Sequence, residues 1–319
     1  MHSSPTKRWI DVRAGERGML AWSFLYFFCL LSGYYMLRPV RDALAVSDSK
    51  DHLSWMFTGT FVVMLLATPV FGALVARYPR RRFVPWVYRF FLLNLLAFTA
   101  LIYLDIGRVV VAYAYFIWLS VYNMFVVSVF WSVMADVFRN EQGKRLFGMI
   151  AAGGSLGALA GAQVTSALVE TLGIAGLLFL ACALLEAAVQ CFFRVTRAQD
   201  QVSEVAVAPA GPAVAAGEPP VIGGGVLAGV VSVARSPYLA GICLYVIFTA
   251  TVQTFLYMQR ADIVRGAFTS SEARAAFFGQ VDLLVNLGTL LLQTLVTARI
   301  LRWLGVGAGL ASLPVFAGL

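Results

Sequence analysis
Charge is what this chain has least of. Asp, Glu, Lys and Arg together make up 13% of its 319 residues, against about a quarter in ordinary globular domains. Hydrophobic residues make up 60% and the mean hydropathy is +0.81, which excludes a soluble globular domain. Histidine is nearly absent: only His2 and His52 occur, so a histidine-based metal centre is not expected. Cysteine is sparse, and Cys29, Cys182, Cys191 and Cys243 all lie in apolar stretches. They read as small core residues, neither a disulfide framework nor a metal site. No nucleophile–base arrangement and no paired carboxylates occur within the apolar segments, so neither an enzyme nor a bound cofactor is expected. A cleavable leader is not expected either. Lys7, Arg8, Arg13 and Arg17 precede an apolar run too long for a leader's core.

What is present is a series of long apolar runs. About 20 apolar residues in a helix cross the hydrocarbon of a bilayer. Eight full spans are read: Met19–Val46, Leu53–Ala76, Phe83–Leu104, Val109–Met134, Leu146–Val169, Ile174–Phe193, Pro237–Met258 and Ala275–Thr297. Trp303–Leu319 reads as the start of a ninth. The fold class is thus an all-α polytopic membrane protein. Its expected organisation is a cytoplasmic N-terminus at 1–18, a six-helix bundle at 19–193, a flexible cytoplasmic linker at 194–236 and a partial second bundle at 237–319. The linker's middle is rich in Ala, Pro and Gly, with little to bury. Six spans, a linker and further spans match a transporter built of two six-helix halves, and the ending at Leu319 reads as a truncated twelve-helix fold.

The net charge of +8 is topological. Most lysines and arginines fall before span one and in the loops after even-numbered spans, which places the N-terminus in the cytoplasm. A nucleic-acid partner is therefore not expected. The expected localisation is a bacterial inner membrane.

The residues that carry chemistry are polar groups on one face of an apolar helix. On a helical wheel Tyr34, Tyr35, Arg38, Arg41 and Asp42 share one face of span one. Arg38 and Asp42, at i and i+4, can pair, which leaves Arg41 to meet an anion. The bland alternative puts both arginines at the headgroups. Span four carries Tyr115, Trp118 and Tyr122 with Asn123 beside them, either packing or a cavity wall. Span seven aligns Tyr245, Thr249, Gln253 and Tyr257, and span eight aligns Asp282, Asn286, Thr289 and Gln293. Glu186 and Gln190 in span six can form a hydrogen bond; Glu186 or Asp282 could instead carry a coupling proton. Gly153, Gly157 and Gly161 make a small-residue face for close helix packing.

Several segments resemble known transporters. Gly72-Ala-Leu-Val-Ala-Arg77-Tyr-Pro79-Arg80-Arg81-Arg82 resembles the loop between helices two and three of major facilitator transporters, with Ala76 where those carry an acid. Leu37-Arg38-Pro39-Val40-Arg41-Asp42 is similar to the Leu-Arg-Asp-x-Lys-Asp signature of the ATP/ADP translocases of plastids and intracellular bacteria. Phe130-Trp131 with Asp136, then Gln142-Gly-Lys144-Arg145-Leu-Phe147, resembles their helix-four-to-five segment, and Arg235-Ser-Pro-Tyr238-Leu239 the start of their seventh helix. The resemblance implies a major-facilitator-like bundle of twelve helices. It also implies that Arg41, where the family has lysine, helps bind nucleotide phosphates. The family's acid within helix four has no counterpart between Val109 and Met134, so another anionic solute is an equal expectation. The reading is a secondary transporter with alternating access, set in the lipid bilayer and moving a nucleotide or other organic anion. Its site would draw on Arg38, Arg41, Tyr34, Tyr35, Tyr115, Trp118, Tyr122 and Asn123 in the first half, and on Gln253, Asp282 and Asn286 in the second. The rivals are a proton-coupled carrier of another small solute and a non-transporting scaffold or sensor domain.

Overall fold
A computed structural model describes residues 16–46, 50–138, 140–206 and 235–292. Seven helices account for nearly all of them: α1 (Arg17–Val46), α2 (Lys50–Arg77), α3 (Arg80–Tyr103), α4 (Arg108–Val137), α5 (Asn140–Ala206), α6 (Pro237–Ala267) and α7 (Ser271–Leu292). All seven are long and apolar enough to cross a membrane. Large apolar side chains face outward, with Trp86 79% and Phe61 68% exposed. An apolar surface of this extent suits lipid, not water.

The 67 residues of α5 would make a rod of roughly 100 Å if straight. Gly173, at φ 68° and ψ 172°, breaks it. The first arm follows α1 in the same direction, with Gly153 beside Phe24, Gly157 beside Phe28 and Gly161 beside Ser32. The second arm runs against α1, with Ala181 beside Gly33, Phe192 beside Tyr26 and Arg194 over Trp22. The chain therefore reverses at Gly173, between the spans expected at 146–169 and 174–193. Of the linker expected from 194, residues 194–206 are helix continuing the second arm, and Arg81 pairs with Asp200 there. The rest of that linker, Gln293 and the expected ninth span lie outside the described residues.

Helix α1 is central and touches every other helix. Its contact with α5 is made by glycine. A Cβ on Gly153 would lie 2.6 Å from the Phe24 carbonyl oxygen, and Cβ atoms on Gly157 and Gly161 would run into the carbonyl oxygens of Phe28 and Ser32. The small-residue face is thus a seam of backbone against backbone, the arrangement that drives helix association where no hydrophobic effect separates helix from solvent. Aromatic packing fills the other side of α1. The Phe27 and Phe130 rings stack at 4.2 Å, Tyr26 meets Phe130 edge-on at 4.9 Å, and the Tyr26 hydroxyl donates to the Tyr88 hydroxyl at 2.6 Å.

Two polar features of the resemblance motifs fasten the helix ends. Gln142 and Arg145, at the start of α5, reach Glu16 at 2.9 and 3.1 Å, before the start of α1. Ser236 caps α6, its side chain accepting from the Leu239 amide, with Pro237 as the first helical residue.

Candidate functional site
Past Pro39, α1 continues as helix to Val46 and carries its charges into the interior. The Arg41 and Asp42 side chains are 15% and 2% exposed, and the Arg38 side chain 32%. The Arg41 and Asp42 side chains are enclosed by the bundle, and that of Arg38 is about two-thirds covered. Asp42 is the hub: it accepts from Arg41 Nε at 2.9 Å and Nη2 at 2.7 Å, and from the Tyr257 hydroxyl at 3.0 Å. Arg260, on the next turn of α6, lies 3.7 Å from its other oxygen. Arg38 meets Asp282 of α7 at 3.5 Å.

This pairing corrects the expected one. Arg38 does not pair with Asp42 one turn below; it crosses to α7, and Arg41 takes Asp42. The physical reason is that α6 brings Tyr257 and Arg260 to Asp42, fixing its carboxylate on the Arg41 side, while Asp282 supplies a separate anion for Arg38. Asp282 lies roughly 16 Å from the first residue of α7 at 1.5 Å per residue.

Three guanidiniums and two carboxylates meet here, one net positive charge in a protein interior. Aromatic rings line the cluster: Phe116 lies 4.9 Å from Arg41, Tyr35 5.7 Å from Arg38, and Tyr257 and Phe278 5.3 and 5.0 Å from Arg260. Tyr34 packs edge-on to Tyr35 at 5.4 Å. Two polar atoms of the cluster, Arg260 Nε and Asp282 Oδ2, are buried without a hydrogen-bond partner among the described residues. Desolvated polar atoms of this kind cost about 1–3 kcal/mol each and favour a ligand or water that meets them. Guanidiniums with spare donors suit carboxylate or phosphate, because their fork matches two oxygens at once. No group of His, Cys, Asp and Glu among the described residues could hold a metal ion.

The other expected site residues divide. Tyr115 and Tyr122 are 0% and 2% exposed and stack on either face of Trp118 at 5.9 and 5.2 Å. They are packing, not cavity wall, and Tyr115 also donates to the Leu37 carbonyl at 3.3 Å, bracing α1 just before Arg38. Trp118 itself lines a groove against α2 and α3. Asn123 is half-buried on α4 without a hydrogen bond to the cluster, and Gln253 is exposed on α6. Asn286 donates back to the Asp282 carbonyl at 2.8 Å and holds its own helix. Glu186 lies apart from the cluster, accepting from Gln190 at 2.7 Å and facing Arg89 of α3 at 3.6 Å. Arg89 and Glu186 are both over a third exposed, and Arg89→Ala is expected to shift the melting temperature by no more than a few degrees, since exposed pairs are worth about 0–1 kcal/mol. A thermal melt in detergent checks it.

Arg260 and Phe116 were not marked by sequence. Arg260 falls just beyond the apolar run ending at Met258 and reads there as a loop charge, yet α6 stays helical to Ala267. Arg265, further along, donates to the Val46 carbonyl at 2.9 Å and closes the C-terminal end of α1. No protein-family model, no curated protein and no solved structure matches this chain.

Proposed function
We propose that this chain forms part of a secondary transporter of the major-facilitator type. It binds a nucleotide or another organic anion and carries it by alternating access. One observation carries the proposal: the buried excess of guanidinium where α1 meets α6 and α7. Isolated charge at membrane depth is costly, and where it occurs it marks a substrate or ion pathway. The cluster also joins a helix that precedes the 194–236 segment to two that follow it. An ion-paired junction between two helical bodies can open and close as they rock, and an arriving anion competes with Asp42 and Asp282 for the same arginines. The rings around the cluster favour a solute with a planar, stackable part beside its negative group.

The test is binding of radiolabelled ATP, ADP and a panel of other organic anions to the full-length purified protein. Arg41→Ala is expected to weaken saturable binding by about 10- to 100-fold, the size of one lost charge-assisted interaction of roughly 1.5–3 kcal/mol. Binding of a different anion, lost in the same variant, keeps the site and changes the substrate. Equal binding by both proteins overturns the proposal.

A proton-coupled carrier is the second reading, favoured by Asp282, whose second carboxylate oxygen is buried and has no partner among the described residues. Glu186 fits that role less well because Gln190 and Arg89 already engage it. Uptake by proteoliposomes that collapses with a protonophore and is lost in Asp282→Asn supports proton coupling; protonophore-insensitive counter-exchange rejects it.

A further inference from the structure
A groove of about 1160 Å³ runs between α2 and α3 with α4 as its floor. It shares no residue with the charged cluster. Val70 and Leu74 form one wall, Trp86 and Phe90 the other, and Ile117 and Trp118 the floor. One end is different: Tyr78 and Arg82 close it. From Val63 to Tyr78 along α2 the groove is roughly 22 Å long at 1.5 Å per residue. Apart from that end its lining is apolar and aromatic, which suits hydrocarbon.

The basic end says which hydrocarbon. Arg77 and Arg82 are exposed, and neither makes an ion pair or side-chain hydrogen bond among the described residues, whereas their neighbour Arg81 is held by Asp200. The α2–α3 connection beside them is predicted cytoplasmic, facing the leaflet whose anionic surface attracts nearby arginines. Tyr78 and Trp86 are amphipathic aromatics of the kind found at headgroup level. Trp118, in the floor, has its indole nitrogen buried without a partner among the described residues.

We infer that this groove is a binding site for an anionic phospholipid. An acyl chain lies along α2, α3 and α4, and the phosphate sits on Arg82 with Arg77 beside it. Occupancy would brace α2, whose contacts with α3 are otherwise few. The inference rests on membrane insertion and not on which solute the charged cluster takes.

The test uses tryptophan quenching in the full-length protein, reconstituted into phosphatidylcholine vesicles that contain brominated phosphatidylglycerol or, in parallel, brominated phosphatidylcholine. The expected result is stronger quenching by the anionic lipid at equal mole fraction, corresponding to a several-fold preference. That excess should vanish in Arg77→Ala/Arg82→Ala and shrink in Trp86→Phe/Trp118→Phe. The arginine side chains are exposed, so a circular dichroism melt matching wild type will confirm that their loss leaves the fold intact. Equal quenching by the two lipids in wild type overturns the site. So does an excess that survives the arginine substitutions, or one that survives removal of both groove tryptophans.

Discussion
Gly161→Leu is expected to leave no folded, monodisperse protein in detergent, and Gly161→Ala to lower the melting temperature markedly. A Cβ at this position collides with the carbonyl oxygen of Ser32, which belongs to the backbone of α1 and cannot rotate away. Relief requires the two helices to separate along the whole seam, because Gly157 and Gly153 abut the same helix one and two turns back. Overpacking a core usually costs about 1–3 kcal/mol per added group. A clash against backbone sits at the upper end, since no side chain can repack. In a membrane the loss is not offset by hydrophobic burial, as lipid tails solvate the separated faces as well as the helices do. Gly148→Ala is the matched control: it lies in the same arm of α5 with nothing within 4 Å of the new methyl group. It should melt at or slightly above wild type, because alanine is the better helix former by about 1 kcal/mol. Size-exclusion chromatography with a thermal ramp reads all three variants. Wild-type behaviour of Gly161→Leu would mean that α1 and α5 do not meet along this seam.

That seam was legible in the sequence for a simple reason. A glycine every fourth residue in an apolar helix has one common physical use, and the spacing survives in any bundle. The helices were legible on similar grounds, because apolar runs of membrane length leave the backbone few alternatives. Helix ends were less so. Polar residues at 194–206 and 259–267 read as loop, yet both segments continue as helix and bring Asp200, Arg260 and Arg265 to their partners. The charge pairing was not legible. Helical spacing favours i and i+4 and gives no credit to neighbours, so Arg38 seemed the natural partner of Asp42. A long guanidinium can curl back to the adjacent residue once another helix fixes the carboxylate, and which helix does so is set by packing across some 215 residues of chain. The aromatic stripe of α4 failed differently: its spacing fits a cavity wall and a packed core equally well, and only its neighbours Phe91 and Phe98 decide for the core.

Asp42→Ala should be the most damaging single change in the charged cluster, beyond Arg260→Ala. Asp42 holds Arg41 through two hydrogen bonds, receives Tyr257 and faces Arg260. Its removal leaves Arg41 buried without its anion and raises the net charge of the cluster by one. Breaking a buried pair from one side costs about 3–5 kcal/mol, because the surviving charge stays desolvated. Arg260→Ala removes the longer 3.7 Å contact and the ring contacts with Tyr257 and Phe278 but relieves positive charge, so its cost should be smaller. The double variant Asp42→Ala/Arg41→Ala should recover part of the loss, a coupling that a double-mutant cycle in thermal stability measures directly. A purely structural ion pair would stop there. If the cluster also takes an anionic solute, Asp42→Ala acquires a vacancy for negative charge beside Arg41 and Arg260. An added organic anion at 100 times its dissociation constant should then restore about 2.7 kcal/mol of stability by mass action. The same anion should restore far less in Asp42→Ala/Arg41→Ala, where its main partner is gone. Thermal rescue by anion in the single variant, absent in the double, would tie the stability of this junction to solute binding. Equal rescue in both would show that the anion acts elsewhere on the protein.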